Sequence, residues 1–146
     1  MILDAQAMFS EAQAITSTAN STNVYDLAVA RDIGAGTVPY LVLQVDTAFT
    51  ASGSATLDIQ FVASAATGLT SPTVIWDSGA IGKATLVAGY RLQIPVPRLP
   101  SGVAPLRYLG LIYTVATGPM TAGAITAAIA QGGQDNRYPA SGFTVS

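Results

Sequence analysis

Apolar and polar residues alternate with a period of two through much of this chain, and that period belongs to half-buried strands. Residues 40–48 place Leu41, Leu43 and Val45 on one face and Gln44 and Asp46 on the other. Residues 56–63 repeat the arrangement with Leu57, Ile59 and Phe61 against Asp58 and Gln60, and residues 91–96 repeat it with Leu92, Ile94 and Val96. No helical stripe could gather these side chains. Weaker patterns at residues 13–18, 24–30, 73–77, 106–117 and 124–131 bring the expectation to about eight strands. Between them stand Gly34-Ala35-Gly36, Ser52-Gly53, Thr67-Gly68, Ser71-Pro72, Ser78-Gly79, Ser101-Gly102 and Gly118-Pro119. Such short spacing with turn-forming residues predicts an all-β, jelly-roll-like sandwich of antiparallel strands.

The two ends of this pattern are less regular. Asp4 could cap a helix carrying Leu3, Ala7, Met8 and Ala14, yet the stretch reads better as an N-terminal arm over residues 1–12. One β-sandwich domain is then expected over residues 13–146. Pro95, Pro97, Pro100 and Pro105 lack amide donors, which predicts an edge or a loop there. In the strand at residues 106–117, Tyr108 and Ile112 share one face while Leu109, Leu111, Tyr113 and Val115 share the other, so both faces are expected to be covered.

Composition changes the picture by removing chemistry. The 146 residues contain no His and no Cys, one Lys (Lys83) and one Glu (Glu11). Disulfides, thiolate or imidazole metal sites and Ser-His-Asp or Cys-His hydrolysis cannot be built from them. Ser-Lys chemistry would need a Ser three residues before Lys83, and position 80 is Ala; a solvated Lys83 is expected instead. Val74-Ile75-Trp76-Asp77-Ser78-Gly79 resembles the aspartic-protease signature, but Tyr108-Leu109-Gly110-Leu111 lacks the polar follow-on that family needs, and Asp-Ser-Gly is ordinary turn chemistry. Asp46 and Asp58, read as neighbours on adjacent strands, fall on faces assigned to solvent rather than across a glycosidase cleft. Gln134-Asp135-Asn136 is too small a cluster for calcium. The expectation is a non-enzyme with no cofactor and no metal.

Charge and hydropathy bound the partners. A net charge of -2 gives no drive toward nucleic acid. Through Asp58 the chain carries six acids and Arg31; beyond it stand five cations, Lys83, Arg91, Arg98, Arg107 and Arg137, with Asp77 and Asp135. Such opposite halves could pair within the fold or across subunits. No targeting peptide stands out at the N-terminus. Residues 108–134 are uncharged and long enough to span a bilayer, but Thr117-Gly118-Pro119 splits them into two strand-like pieces, so no membrane contact is expected.

Two stretches resemble a known family. Leu3-Asp4-Ala5-Gln6-Ala7-Met8-Phe9-Ser10-Glu11-Ala12-Gln13-Ala14-Ile15-Thr16, continuing to Ser21-Thr22-Asn23-Val24-Tyr25-Asp26-Leu27, is similar to the start of the capsid cement (decoration) proteins of tailed bacteriophages. Leu106-Arg107-Tyr108-Leu109-Gly110 through Thr114-Val115-Ala116-Thr117-Gly118-Pro119, then Gln134-Asp135-Asn136-Arg137-Tyr138 before Pro139, Gly142 and Phe143, resembles that family's C-terminal region. The resemblance implies a small jelly roll, made in the host cytoplasm, that coats the outer surface of the virion capsid. It would bridge subunits of the major capsid protein, as a homodimer or other homo-oligomer. Apolar anchors at the termini, Ile2, Leu3, Met8 and Phe9 with Tyr138 and Phe143, are the expected contacts, since terminal segments can order on binding. A carbohydrate-binding jelly roll of a phage tail or fibre, using exposed aromatics such as Trp76, is the alternative.

Overall fold

The structure, a computed structural model, describes residues 3–33, 36–99 and 101–132. After one turn of 3₁₀ helix (Ala5–Ala7), ten strands follow among the described residues: β1 (Met8–Ala14), β2 (Ala19–Asn20), β3 (Tyr25–Asp26), β4 (Tyr40–Thr50), β5 (Thr56–Ser64), β6 (Thr73–Asp77), β7 (Ile81–Gly82), β8 (Arg91–Pro95), β9 (Tyr108–Ala116) and β10 (Ala122–Ala130). All pairings are antiparallel. One sheet has the order β1-β10-β4-β8; the other has β2-β9-β5-β6, with β3 also on β9 and β7 also on β5. Counting β2 and β3 as one interrupted strand and setting the short β7 aside leaves eight. The chain then crosses from sheet to sheet at nearly every connection, which is the jelly-roll path.

Alternation decides which side chains meet between the layers. Leu41, Leu43, Val45, Ile125 and Phe9 of one sheet face Leu57, Ile59, Phe61, Leu109, Leu111 and Tyr113 of the other, all buried. Each fully buried side chain of this size contributes about 1.5–3 kcal/mol relative to exposure. Phe9 meets Phe61 edge to face, with ring centroids 5.9 Å apart. One polar chain crosses this core. Ser10 Oγ donates to Gln13 Oε1 at 2.7 Å, so the Tyr113 hydroxyl, 2.8 Å away, donates to Ser10. Gln13 continues to the carbonyl of Asn20 and the amide of Thr22, which ties β1 to β9 and β2. Burial pushes the Tyr113 phenol well above its ordinary value.

Several expectations are corrected here. The first strand begins at Met8, not at residue 13, so residues 8–12 pair with β10 instead of forming an arm. The reason is two register shifts, between Met8 and Ser10 and between Ser10 and Gln13, which break the alternation a sequence reading relies on. β4 and β5 are consecutive but lie in different sheets, so Asp46 and Asp58 are not on adjacent strands. Lys83 is half-buried, and its ammonium donates to the carbonyl of Ala51. β9 sits inside its sheet between β5 and the short β2 and β3. Its outer face at Gly110 is covered by Leu69, whose Cδ1 lies 2.5 Å from where a Cβ on residue 110 would stand. Leu69 holds a left-handed φ of 53° to reach that place. Within the described residues, no helix is long and apolar enough to cross a membrane.

Candidate functional site

Asp77-Ser78-Gly79 closes the end of β6 as a turn. Asp77 Oδ1 accepts the Gly79 amide at 2.6 Å, and Gly79 takes a φ of 67°, which favours glycine. Ser78 stands in for a strand residue: its amide donates to the Ile59 carbonyl at 3.0 Å, and its Oγ accepts the Ile59 amide at 2.9 Å. Gln60 Nε2 donates to Asp77 Oδ2 at 3.0 Å, and Ser78 Oγ lies 3.4 Å from Asp58 Oδ1. The catalytic-looking string therefore fastens an edge strand to its neighbour.

The two carboxylates in this cluster are pushed apart in acidity. Desolvation first, then the adjacent Asp77 carboxylate, holds Asp58 above the usual range, against the pull of Ser78 and the Ile59 amide. Asp77 is lowered, chiefly by Gln60 and then by the Gly79 amide. A raised acid favours the fold while protonated, and that contribution fades as pH rises through its folded pKa. Asp58→Asn is accordingly expected to melt above the parent at neutral pH. The two melting curves converge on acidification below the ordinary carboxyl range, which a pH series of thermal scans reads directly.

The outer face of the other sheet holds a second polar arrangement. Arg91 Nε donates to Gln44 Oε1 at 3.1 Å; Gln44 Nε2 reaches Asp46 Oδ1 at 3.5 Å; Thr126 Oγ1 donates to Asp46 Oδ2 at 2.6 Å. Thr126 also accepts the Ala12 amide at 2.9 Å, so the ladder runs β8-β4-β10-β1 across the whole sheet. Ala12 turns its amide outward at a φ of 44°, within the second register shift of β1. Beside the ladder lies a groove of about 210 Å³ lined by Leu3, Val42, Gln44, Asp46, Arg91, Gln93, Thr126 and Ala128.

The expected contact residues are distributed unequally. Leu3 is half-buried at the groove wall, and Met8 is half-buried opposite Ala128. Phe9 faces inward and is 0% exposed, so it is corrected from a contact residue to a core residue. Ile2, Tyr138 and Phe143 lie outside the described residues. Sequence reasoning placed Gln44 and Asp46 on the solvent face but missed Arg91, Gln93 and Thr126 as their neighbours. Alternation gives the face of a residue, whereas adjacency between β4, β8 and β10 depends on register between distant segments. The opposite-charge halves do meet inside the fold: Asp26 and Arg107 form a two-pronged pair at 2.7 and 2.8 Å, the one salt bridge among the described residues. That pair lowers Asp26 to about 2.

Fold and surface define a two-layer jelly roll whose polar side chains mostly brace its own strands. The chain belongs to the Bbp16 family, a phage-associated family whose model matches residues 9–129. No curated protein matches it.

Proposed function

We propose that this protein is a structural component of a phage virion, a capsid cement protein that binds the outside of the shell and bridges major capsid protein subunits. The observation that carries the reading is the family match over most of the chain. The jelly roll is compatible with it, although the same fold also serves lectins, and fold alone does not fix function. The mechanism is avidity: identical weak contacts reinforce one another because each copy, once placed, holds its neighbours at high effective concentration. A rigid double layer suits that task, since little order has to be gained on binding.

Contacts are assigned to the N-terminal segment through Ile2, Leu3 and Met8, and to the C-terminal region through Tyr138 and Phe143. Purified shells stripped of this protein test the assignment by co-sedimentation. The full chain is expected to saturate the shells and raise their melting temperature, and removal of residues 1–7 is expected to weaken occupancy at least about tenfold. A full chain that stays in the supernatant would refute the reading. The carbohydrate-binding alternative rests on Trp76, which is half-buried and packs one side against the core. A glycan array on the same preparation checks that point.

A further inference from the structure

We infer that the groove on the outer face of the β1-β10-β4-β8 sheet is a docking point for a single acidic side chain of a partner polypeptide, received by Arg91. The inference rests on the shell-binding reading and adds the chemistry of one contact to it.

Register defines the site. Gln93, Val42 and Ala128 stand side by side in one row across β8, β4 and β10, and Arg91, Gln44 and Thr126 stand in the next. The first row supplies an apolar floor: Val42 and Ala128 are buried although they point away from the core, with Leu3 as a wall beside them. The second row supplies the cation. Arg91 is exposed, and only its Nε is engaged, by Gln44; its terminal nitrogens have no partner among the described residues. Gln44 thus fixes the plane of a guanidinium whose outward edge matches a carboxylate fork.

Size and charge then name the occupant. At about 210 Å³ the groove falls below the roughly 300–1,000 Å³ of pockets that take small-molecule ligands. It suits a side chain or two, carried by a larger partner. Asp46 lies one row beyond Arg91, with both oxygens already held by Gln44 and Thr126. That arrangement leaves one end of the groove attractive and the other repellent to an acid, which selects one carboxylate with an apolar neighbour on the floor rather than a strongly acidic run.

Three variants on stripped shells test this. Arg91→Glu is expected to lower occupancy about tenfold or more, Arg91→Lys to lower it less, and Arg98→Ala, an exposed cation elsewhere, to leave it unchanged. Raising the salt should narrow the gap between Arg91→Glu and the parent, since that gap comes from charge. Arg91 is exposed, so matching melting temperatures for parent and variants confirm that folding is not the cause. Failure of the parent to bind shells would remove the functional reading and this contact with it. Parent binding with undiminished Arg91→Glu binding would overturn the contact alone. Calorimetric titration with free glutamate separates the source: saturable binding would make this a small-molecule carboxylate site and overturn the docking.

Discussion

Phe9→Ala should destabilise the fold by about 3–5 kcal/mol, the range for emptying a buried aromatic site. Phe9 has no exposed surface, lies on the inner face of β1 and meets Phe61 edge to face. Its truncation leaves a cavity between the two sheets and removes that aromatic pair. The hydrogen bond from the Asn23 amide to the Phe9 carbonyl, at 2.9 Å, fixes the backbone and hinders collapse into the space. Denaturant titration followed through Trp76, which packs against the same core, measures the loss. A partner-contact residue would behave in the opposite way: its truncation would leave stability unchanged and reduce shell occupancy. The same reasoning sets where an arm deletion must stop. Met8 begins the pairing of β1 with β10, so a deletion that runs through Phe9 removes a core residue and reports on folding, whereas one ending at residue 7 reports on the surface.

What could be read from the sequence follows from which interactions are local. β4, β5 and β8 are legible almost to the residue because inward-facing apolar side chains alternate along them, and the weaker pattern at residues 73–77 coincides with β6, while that at 91–96 overruns β8 by one residue. β1 was misplaced because its two register shifts and the positive φ of Ala12 send Phe9 and Ser10, adjacent in sequence, both into buried positions. β2 and β7 are two residues each, too short to carry any period. The candidate contacts fared similarly. Apolar character picked out Leu3, Met8 and Phe9 alike, and only the pairing of β1 with β10 turns Phe9 inward while leaving Leu3 at the groove. Arg91 looked like any other solvated cation. Its meaning depends on Gln44, 47 positions away in the chain, and on the apolar row next to it.

The same dependence on distant partners makes Gly123 the most tightly enclosed glycine among the described residues. Gly123→Ala is expected to cost about 3 kcal/mol or more, since overpacking typically costs 1–3 kcal/mol and the backbone conformation adds its own penalty. Gly123 has a φ of 148°, which L side chains rarely adopt, and an added Cβ would overlap Phe49 Cδ1. Neither neighbour can yield easily. Phe49 is buried, and its amide is bonded to the Leu86 carbonyl at 2.9 Å; the Gly123 carbonyl accepts the Ile15 amide at 3.0 Å. The glycine lies inside a register shift of β10 against β4, between the pairs Ala122–Thr50 and Ala124–Thr47, where the strand bends and the ring of Phe49 fills the bend. A double-mutant cycle separates the two causes. Phe49→Leu should relieve the steric part, so that Gly123→Ala costs less in the Phe49→Leu background than in the parent, while the backbone part persists in both. Equal losses in the two backgrounds would assign the whole effect to φ, and an unchanged melting temperature for Gly123→Ala would contradict this packing of β10 on β4.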